Sequence, residues 1–337
     1  MAINPTINPT INPRVGIVVI GRNEGERLLQ CLKSIPANTP IVYVDSGSND
    51  GSPAAAKALG AAVISLDMTV PFTAARARNQ GWRQLLDDYS SIEFIQFIDG
   101  DCQLFPDWIN SAVDLLSLNP HYVITTGRRK ERFPERSIYN RLCDIEWNTP
   151  IGDAKACGGD ALIRASVLVE VNGYRDDVIA GEEPEMCVRI RALGYKIYRL
   201  ETDMTLHDAN IRHFLQWWKR SVRCGFAYAQ GAFLHGKKPE RHWVKEALRA
   251  CFWGGLLPLV ISVLLLLGYE LLAVSVVLLY CLSFFKTVVT QKNPDILPVK
   301  WQWSGFMLLS KFSEFWGVLK FLGLKLIRKK AKIIEYK

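Results

Sequence analysis

At 337 residues the chain is long enough for one large domain or two smaller ones, with 49% apolar residues and a formal charge of +8. Neither excess is evenly spread: Met1–Gly236 carries 25 Lys and Arg against 27 Asp and Glu, whereas Lys237–Lys337 carries 16 against 6. A basic, apolar tail points to a membrane with an anionic face and away from nucleic acid, for which the first 236 residues hold no recognition motif.

In chain order, MAINPTINPTINPR repeats Ile-Asn-Pro three times, which prevents a helix and buries no core. Residues 1–14 are therefore expected to be a disordered leader. Val15–Ile20 is a β-branched run and reads as a buried strand. Gly21-Arg22-Asn23-Glu24-Gly25 leads into a helix from about Glu26 to Ser34, with Leu28, Leu29, Leu32 and Ile35 as its apolar face. Ile41–Val44 is a second strand, ending in the polar loop Asp45–Ser52. An alanine-rich helix (about 53–59) and a strand at Ala62–Leu66 follow. Thr73–Asp88 reads as a helix carrying Arg76, Arg78 and Asn79.

Phe94-Ile95-Gln96-Phe97-Ile98 then runs straight into Asp99-Gly100-Asp101. The apolar part is too short for a helix and reads as a buried strand. Its two carboxylates lie at the strand's carboxyl end, where open α/β sheets bind ligands. Carboxylates this close repel unless one is protonated or a cation lies between them, and hard oxygen ligands suit Mg2+ or Mn2+. The plain alternative is a turn, since Asp and Gly are common there.

Trp108–Leu118 is a further helix. The β-α-β-α-β-α-β order implies a Rossmann-like α/β fold with a mostly parallel central sheet and helices on both faces. In the second half, strands are expected at Tyr122–Gly127, Gly158–Arg164 and Lys196–Leu200. Helices are expected at Ser137–Trp147, at Glu182 to about Leu193 and at Ile211 to about Gly231. Arg128–Arg132 reads as a charged, solvated stretch. The eight cysteines contain no CxxC pair, which argues against a zinc knuckle and suits reduced thiols in a cytosolic domain.

From Cys251 to Phe285 only Glu270 is charged. Gly268-Tyr269-Glu270 divides the run, so a transmembrane hairpin over about 251–289 is expected, with basic flanks on one side of the bilayer. A single tilted span and a buried apolar hairpin are the alternatives. Residues 304–327 mix Lys311, Glu314 and Lys325 with Phe, Trp and Leu, as an amphipathic interfacial helix does. The expected organisation is thus a catalytic domain over 15–236 and membrane-associated helices over 237–337.

Six pieces carry a resemblance: VVIGRNEGERLLQCLKSI, VYVDSGSNDGS, ARARNQGW, FIDGDCQL, GGDALIRASVLVEVNGYRDD and GEEPEMCVRIRALGYKI. Together, in this order, they make the chain look like a family 2 glycosyltransferase of the GT-A fold. The resemblance implies that Asp45 binds the nucleobase of a nucleotide-diphospho-sugar donor. Asn23 and Glu24 would line the nucleotide pocket, and Arg78, with Arg76 as alternative, would sit near base or diphosphate. Asp99 and Asp101 match the DxD motif, which holds a divalent cation, Mg2+ or Mn2+, on the diphosphate. Glu182-Glu183 matches an acidic pair usually written Glu-Asp, whose second member is the base. The glutamate adds one methylene of reach, so Glu182 and Glu185 stay open as bases, beside the simpler preference of acidic residues for a helix N-terminus. His207 resembles a late histidine that binds metal or diphosphate; a structural role is its alternative. Gly158, Gly159 and Asp160 would let backbone approach the donor sugar or acceptor, or Asp160 would cap a turn. Gln216-Trp217-Trp218-Lys219-Arg220 is similar to the QxxRW box of processive synthases but in the wrong order, which argues against polymerisation. Its aromatic and basic residues, with Arg223, would cover the donor or anchor an interfacial helix.

The expected protein is an inverting glycosyltransferase at the inner (plasma) membrane. Its catalytic domain is cytoplasmic, and its acceptor is lipid-linked or a saccharide. A polyprenyl-phosphate sugar synthase, a nucleotidyltransferase and a non-catalytic nucleotide-sugar-binding membrane protein are the rivals.

Overall fold

The computed structural model describes residues 14–329 and 333–335. The expected leader lies outside the described residues, Arg14 apart. The described chain divides into two units. One runs to Arg132 and adds Trp147–Asp176 and Glu182–Ala209; the other holds Phe133–Glu146, Asp177–Gly181 and the chain from Asn210 onward.

The first unit is built on one nine-stranded sheet. In chain order the strands are β1 (Val15–Gly21), β2 (Ile41–Asp45), β3 (Ala62–Ser65), β4 (Phe94–Asp99), β5 (Cys102–Leu104), β6 (Tyr122–Glu131), β7 (Gly152–Ala154), β8 (Ala161–Arg164) and β9 (Lys196–His207). Their spatial order is β3-β2-β1-β4-β8-β6-β9-β5, with β7 beside β9. The order β3-β2-β1-β4 is all parallel. Beyond β4 the sheet is mixed: β8 runs antiparallel to β4 and β6, and β5 and β7 run antiparallel to β9. The parallel arrangement expected from the element order holds across β3-β2-β1-β4 and recurs between β6 and β9, with antiparallel pairs among the rest.

Apolar residues explain the layers. β1 and β4 are buried almost throughout, as strands covered on both faces must be. One face packs on helix Ala74–Asp88 through Ala75, Trp82 and Leu85, and on helix Glu182–Ala192 through Met186 and Ile190. The other packs on helices Glu26–Lys33 and Trp108–Leu118 through Leu28, Leu32, Ile109 and Val113. Gln96, in the middle of β4, is fully buried and accepts a 2.8 Å hydrogen bond from Trp108 Nε1. Register sets the functional edge: Gly21 lies beside Asp45, and Ile20 beside Asp99. The loops after β1, β2 and β4 therefore leave the sheet together.

Three expectations are corrected here. The charged stretch after Gly127 is strand, since β6 continues to Glu131 and buries it. β9 runs to His207, past the expected end at Leu200. β8 begins at Ala161, not at the glycines before it. In the first case backbone pairing of β6 with β9 supports charged residues; in the second, Met204 and Leu206 are the only apolar residues from Glu201 to His207. Strands β5 and β7 and helix Ala165–Glu170 carry too few residues for a sequence pattern.

The second unit is helical. Its main elements are Phe214–His235, Val244–Cys251, Leu257–Leu266, Glu270–Thr290 and Lys300–Leu326. A π-helical turn over Phe252–Leu256 joins Val244–Cys251 to Leu257–Leu266, giving one 23-residue helix. This helix and the 21-residue Glu270–Thr290 are long and apolar enough to cross a membrane. The break between them spans Gly268, with φ of 76°. Trp217 is buried within this unit against Tyr139 and Phe306, and Arg220 pairs with Glu146 at 2.7 Å. Gln216 caps its helix by accepting from the His213 N–H.

Helices Phe214–His235 and Lys300–Leu326 cross at glycines. A Cβ on Gly317 would lie 2.1 Å from the Val222 carbonyl oxygen, and one on Gly225 would lie 1.9 Å from that of Glu314. Gly317→Ala is expected to cost about 1–3 kcal/mol, because backbone cannot yield as a side chain does. Gly323→Ala, whose Cβ would meet nothing within 4 Å, is expected to be neutral or stabilising. Thermal melts of both variants in detergent check the contrast; equal melting temperatures would show that the crossing is not so close.

Candidate active site

The catalytic, donor-binding and metal candidates all fall in the sheet-bearing unit, whereas Trp217, Trp218, Arg220 and Arg223 fall in the helical one. The first group knits two loops. Asn23 takes a left-handed conformation (φ 55°), and its N–H donates to Ser48 Oγ at 2.8 Å. Asn49 N–H donates back to Asn23 Oδ1 at 2.8 Å, and Gly25 N–H donates to Asp50 Oδ2 at 2.9 Å. Asp45, buried at the end of β2, accepts from the Tyr43 hydroxyl and from the Gly47 and Ser48 N–H groups at 2.9–3.0 Å. Burial, and then the Asp45 charge, push the Tyr43 hydroxyl well above the ordinary tyrosine range. Glu24 pairs with Arg27 at 2.7 Å. Asn23 and Asp45 thus shape their own loops, whatever else they contact.

The second group is an acidic cluster around Arg78. Thr73 caps helix Ala74–Asp88 by accepting from Arg76 N–H at 3.1 Å, and Arg78 sits one turn in. Its guanidinium is 3% exposed. Nη2 donates to Asp99 Oδ1 at 2.9 Å, while Nη1 lies 2.9 Å from both Glu182 Oε1 and Glu183 Oε1. Arg76 does something else: it donates to the carbonyls of Asp67, Val70 and Pro71, so it pins a loop and is removed as an alternative to Arg78.

Asp99 is held from a second side. Its Oδ2 lies 3.5 Å from Arg129 Nη2, which in turn lies 2.7 Å from Asp160 Oδ2. Asp160 is wholly buried; its Oδ1 accepts from Asp99 N–H at 3.2 Å and its Oδ2 from Thr205 Oγ1 at 2.6 Å. Burial alone would raise the Asp99 carboxyl, but Arg78 and then Arg129 outweigh it and hold the carboxyl below the usual range. Asp160 therefore braces Asp99 and does not cap a turn.

The third group is Asp101 with His207. β5 pairs with β9 so that Cys102 lies opposite His207, which brings His207 Nε2 to 3.3 Å from Asp101 Oδ1. Trp147 meets the His207 ring edge-on at 4.7 Å. Asp101, Cys102 and His207 offer ligand atoms within 4.8 Å of one another. Burial pushes the Cys102 thiol well up, so it stays protonated, and a soft sulfur does not suit a hard cation. The buried site gathers the carboxylates of Asp99, Asp101, Asp160, Glu182 and Glu183 against two guanidiniums. Oxygen and imidazole donors in a negative pocket fit Mg2+ or Mn2+. Asp101 and His207 could hold such a cation, while Asp99 is engaged by both arginines.

The three glutamates open helix Glu182–Ala192, and each has a distinct setting. Glu185 forms a two-pronged pair with Arg189, whose guanidinium also donates to the carbonyls of Val171 and Gly173. That is a structural clamp. Glu182 and Glu183 share one nitrogen of Arg78. Burial, and then the neighbouring Glu182, push the Glu183 carboxyl up to about 7 against the pull of Arg78. Gly159 lies against this cluster: a Cβ there would be 2.6 Å from Arg78 Nη2 and 3.0 Å from Asp99 Oδ2.

Arg129, Thr205 and Trp147 were not legible as site residues. Arg129 stood in a stretch read as solvated. Only the doubling Arg128-Arg129 beside a glycine hinted at a strand irregularity.

Similarity to known proteins agrees with this geometry. Residues 16–159 match the model of glycosyl transferase family 2. Glycosyltransferase AglE of Haloferax volcanii is 23% identical over 229 residues, 63% of this chain and 71% of that protein. The mannosyltransferase PcManGT from Pyrobaculum calidifontis, solved with GDP-Man and Mn2+, superposes with a TM-score of 0.59 at 18% identity, over 94% of this chain and 88% of that one. The fold is GT-A. Over residues 16–159 the chain is similar to glycosyltransferase family 2.

Proposed function

We propose that this protein is an inverting, cation-dependent glycosyltransferase moving a hexose from a nucleotide-diphospho-sugar to a lipid-linked or saccharide acceptor. The observation that carries the reading is the Arg78 cluster, in which one guanidinium meets Asp99 through one nitrogen and Glu182 and Glu183 through the other. Asp45, Asn23 and Glu24 line the nucleotide end, Gly159 gives room beside Arg78, and Asp160 braces Asp99.

In a single displacement, an acceptor hydroxyl attacks the anomeric carbon, and the bond from that carbon to the diphosphate breaks. The hydroxyl proton passes to the Glu183 carboxylate, which must be ionised to take it. Asp101 and His207 would hold a divalent cation, and the chemistry it would supply there is charge to offset that developing on the leaving diphosphate. Of the three glutamates, Glu183 is the base: Glu185 is committed to Arg189, and Glu182 is the more buried partner on Arg78.

The membrane reading rests on the two apolar helices, whose Leu266 and Leu271 are more than four-fifths exposed. We assign residues 251–289 to a transmembrane hairpin and 304–327 to an interfacial helix within a membrane region over 237–337. The catalytic domain, 15–236, then lies on the cytoplasmic side of the inner (plasma) membrane.

The test is a donor screen: full-length protein, Mn2+ or Mg2+, UDP-, GDP- and dTDP-sugars, with and without membrane lipid. Release of the nucleoside diphosphate from one donor is expected. No release from any of them would sink the proposal, and release of pyrophosphate would point to nucleotidyl transfer.

A further inference from the structure

Arg129 differs from Arg78 in how its hydrogen-bonding capacity is used. Arg78 donates to Asp99 and Glu182 and pairs with Glu183. Arg129 approaches two carboxylates, yet its Nη2 is buried and makes no directed hydrogen bond. Asp160 Oδ2 also accepts from the Thr205 hydroxyl and Oδ1 from the Asp99 N–H, and Arg129 stands 2.7 Å from Oδ2 as an ion pair.

The backbone brings it there by an irregularity. In the β6–β9 pairing the register shifts between Thr126 and Arg128 and again between Arg128 and Arg129, leaving Arg129 opposite Thr205. Bulges of this kind re-aim a side chain and concentrate next to active sites. The guanidinium then lies 5.5 Å over the Trp147 ring, and Trp147 in turn packs on His207. A planar fork of N–H donors matches the oxygens of a phosphate.

We propose that Arg129 is a phosphate-binding residue, whose N–H donors take a non-bridging oxygen of the donor's diphosphate while Asp160 holds the guanidinium ready beside Asp99. The inference rests on the donor reading above. The competing account is that Arg129 only neutralises the buried Asp160.

Calorimetric titration of the full-length protein in detergent, with Mn2+ present, separates the two. The ligands are UDP and GDP, their nucleosides, and farnesyl phosphate. Arg129→Ala is expected to weaken the bound nucleoside diphosphate by about tenfold or more, the scale of a lost charge-assisted hydrogen bond. Nucleoside binding should not change, and Arg129→Lys should recover part of the loss. The loss should persist when Arg129→Ala is made in an Asp160→Asn background, where no buried charge needs neutralising and a folding defect of the single variant is avoided. Equal diphosphate affinity of Asp160→Asn with and without Arg129 would overturn the inference. A loss confined to farnesyl phosphate would also overturn it, moving the residue to an acceptor phosphate. If the unaltered protein binds neither UDP nor GDP, the donor reading fails first and the inference with it.

Discussion

Glu183→Gln is expected to lower sugar transfer by about 10²- to 10⁴-fold, the usual contribution of a positioned base. Nucleoside diphosphate affinity should change far less, because the amide keeps the shape of the side chain and removes only its charge and proton affinity. The pH dependence gives a second readout. The carboxyl is pushed up to about 7 from 4.5, so below about 7 it is mostly protonated and cannot accept a proton. Transfer by the unaltered enzyme should therefore rise with pH through about 7 and then level. The sign for stability is opposite. Burial favours the protonated form, so its contribution is full below 4.5 and lost as pH rises through about 7. Glu183→Gln should flatten both profiles. A variant that keeps nearly full transfer would indicate an acceptor needing no base, such as a polyprenyl phosphate.

Asp101→Ala is expected to have an effect at least as large. It removes the carboxylate facing His207, and with it the proposed site for the cation. Because a bound cation supplies several kcal/mol of transition-state stabilisation, transfer should fall by about 10³-fold or more. Mn2+ binding, followed by electron paramagnetic resonance, should be lost with it. His207→Gln should keep measurable transfer but need more Mn2+, since the carboxylate remains. Asp99→Ala should act differently. It releases Arg78 and Arg129 together, so donor affinity should fall even at saturating Mn2+. Transfer by Asp101→Ala that is unchanged and still abolished by chelation would place the cation elsewhere.

The parts of the site that follow continuous apolar strands were legible in advance. β1, β2 and β4 are short β-branched or aromatic runs, so Asn23, Asp45, Asp99 and Asp101 could be set at one edge before any coordinate was known. The second half was less legible because the signals that mark a strand fail there. Arg128–Glu131 and Glu201–His207 pair through their backbones while carrying charged or polar side chains at all but Met204 and Leu206. No periodicity announces such a strand, and so Arg129 and its brace Thr205 stayed hidden. The three glutamates were visible, but the difference among them was not. It depends on Arg189 one turn along and on Arg78, more than a hundred residues earlier in the chain. The glycine crossing of the helical unit had no signal either, since Gly225 and Gly317 become partners only once their helices meet.

Arg78 spans Asp99 and Glu183 with one rigid guanidinium, and this links the two ends of the site thermodynamically. Positive charge arriving near Asp99 and Asp101 lowers the proton affinity of Glu183. By reciprocity, loss of that proton strengthens the hold on the arriving charge by the same factor. Cation loading and arming of the base would then be one coupled event, balanced around a single arginine.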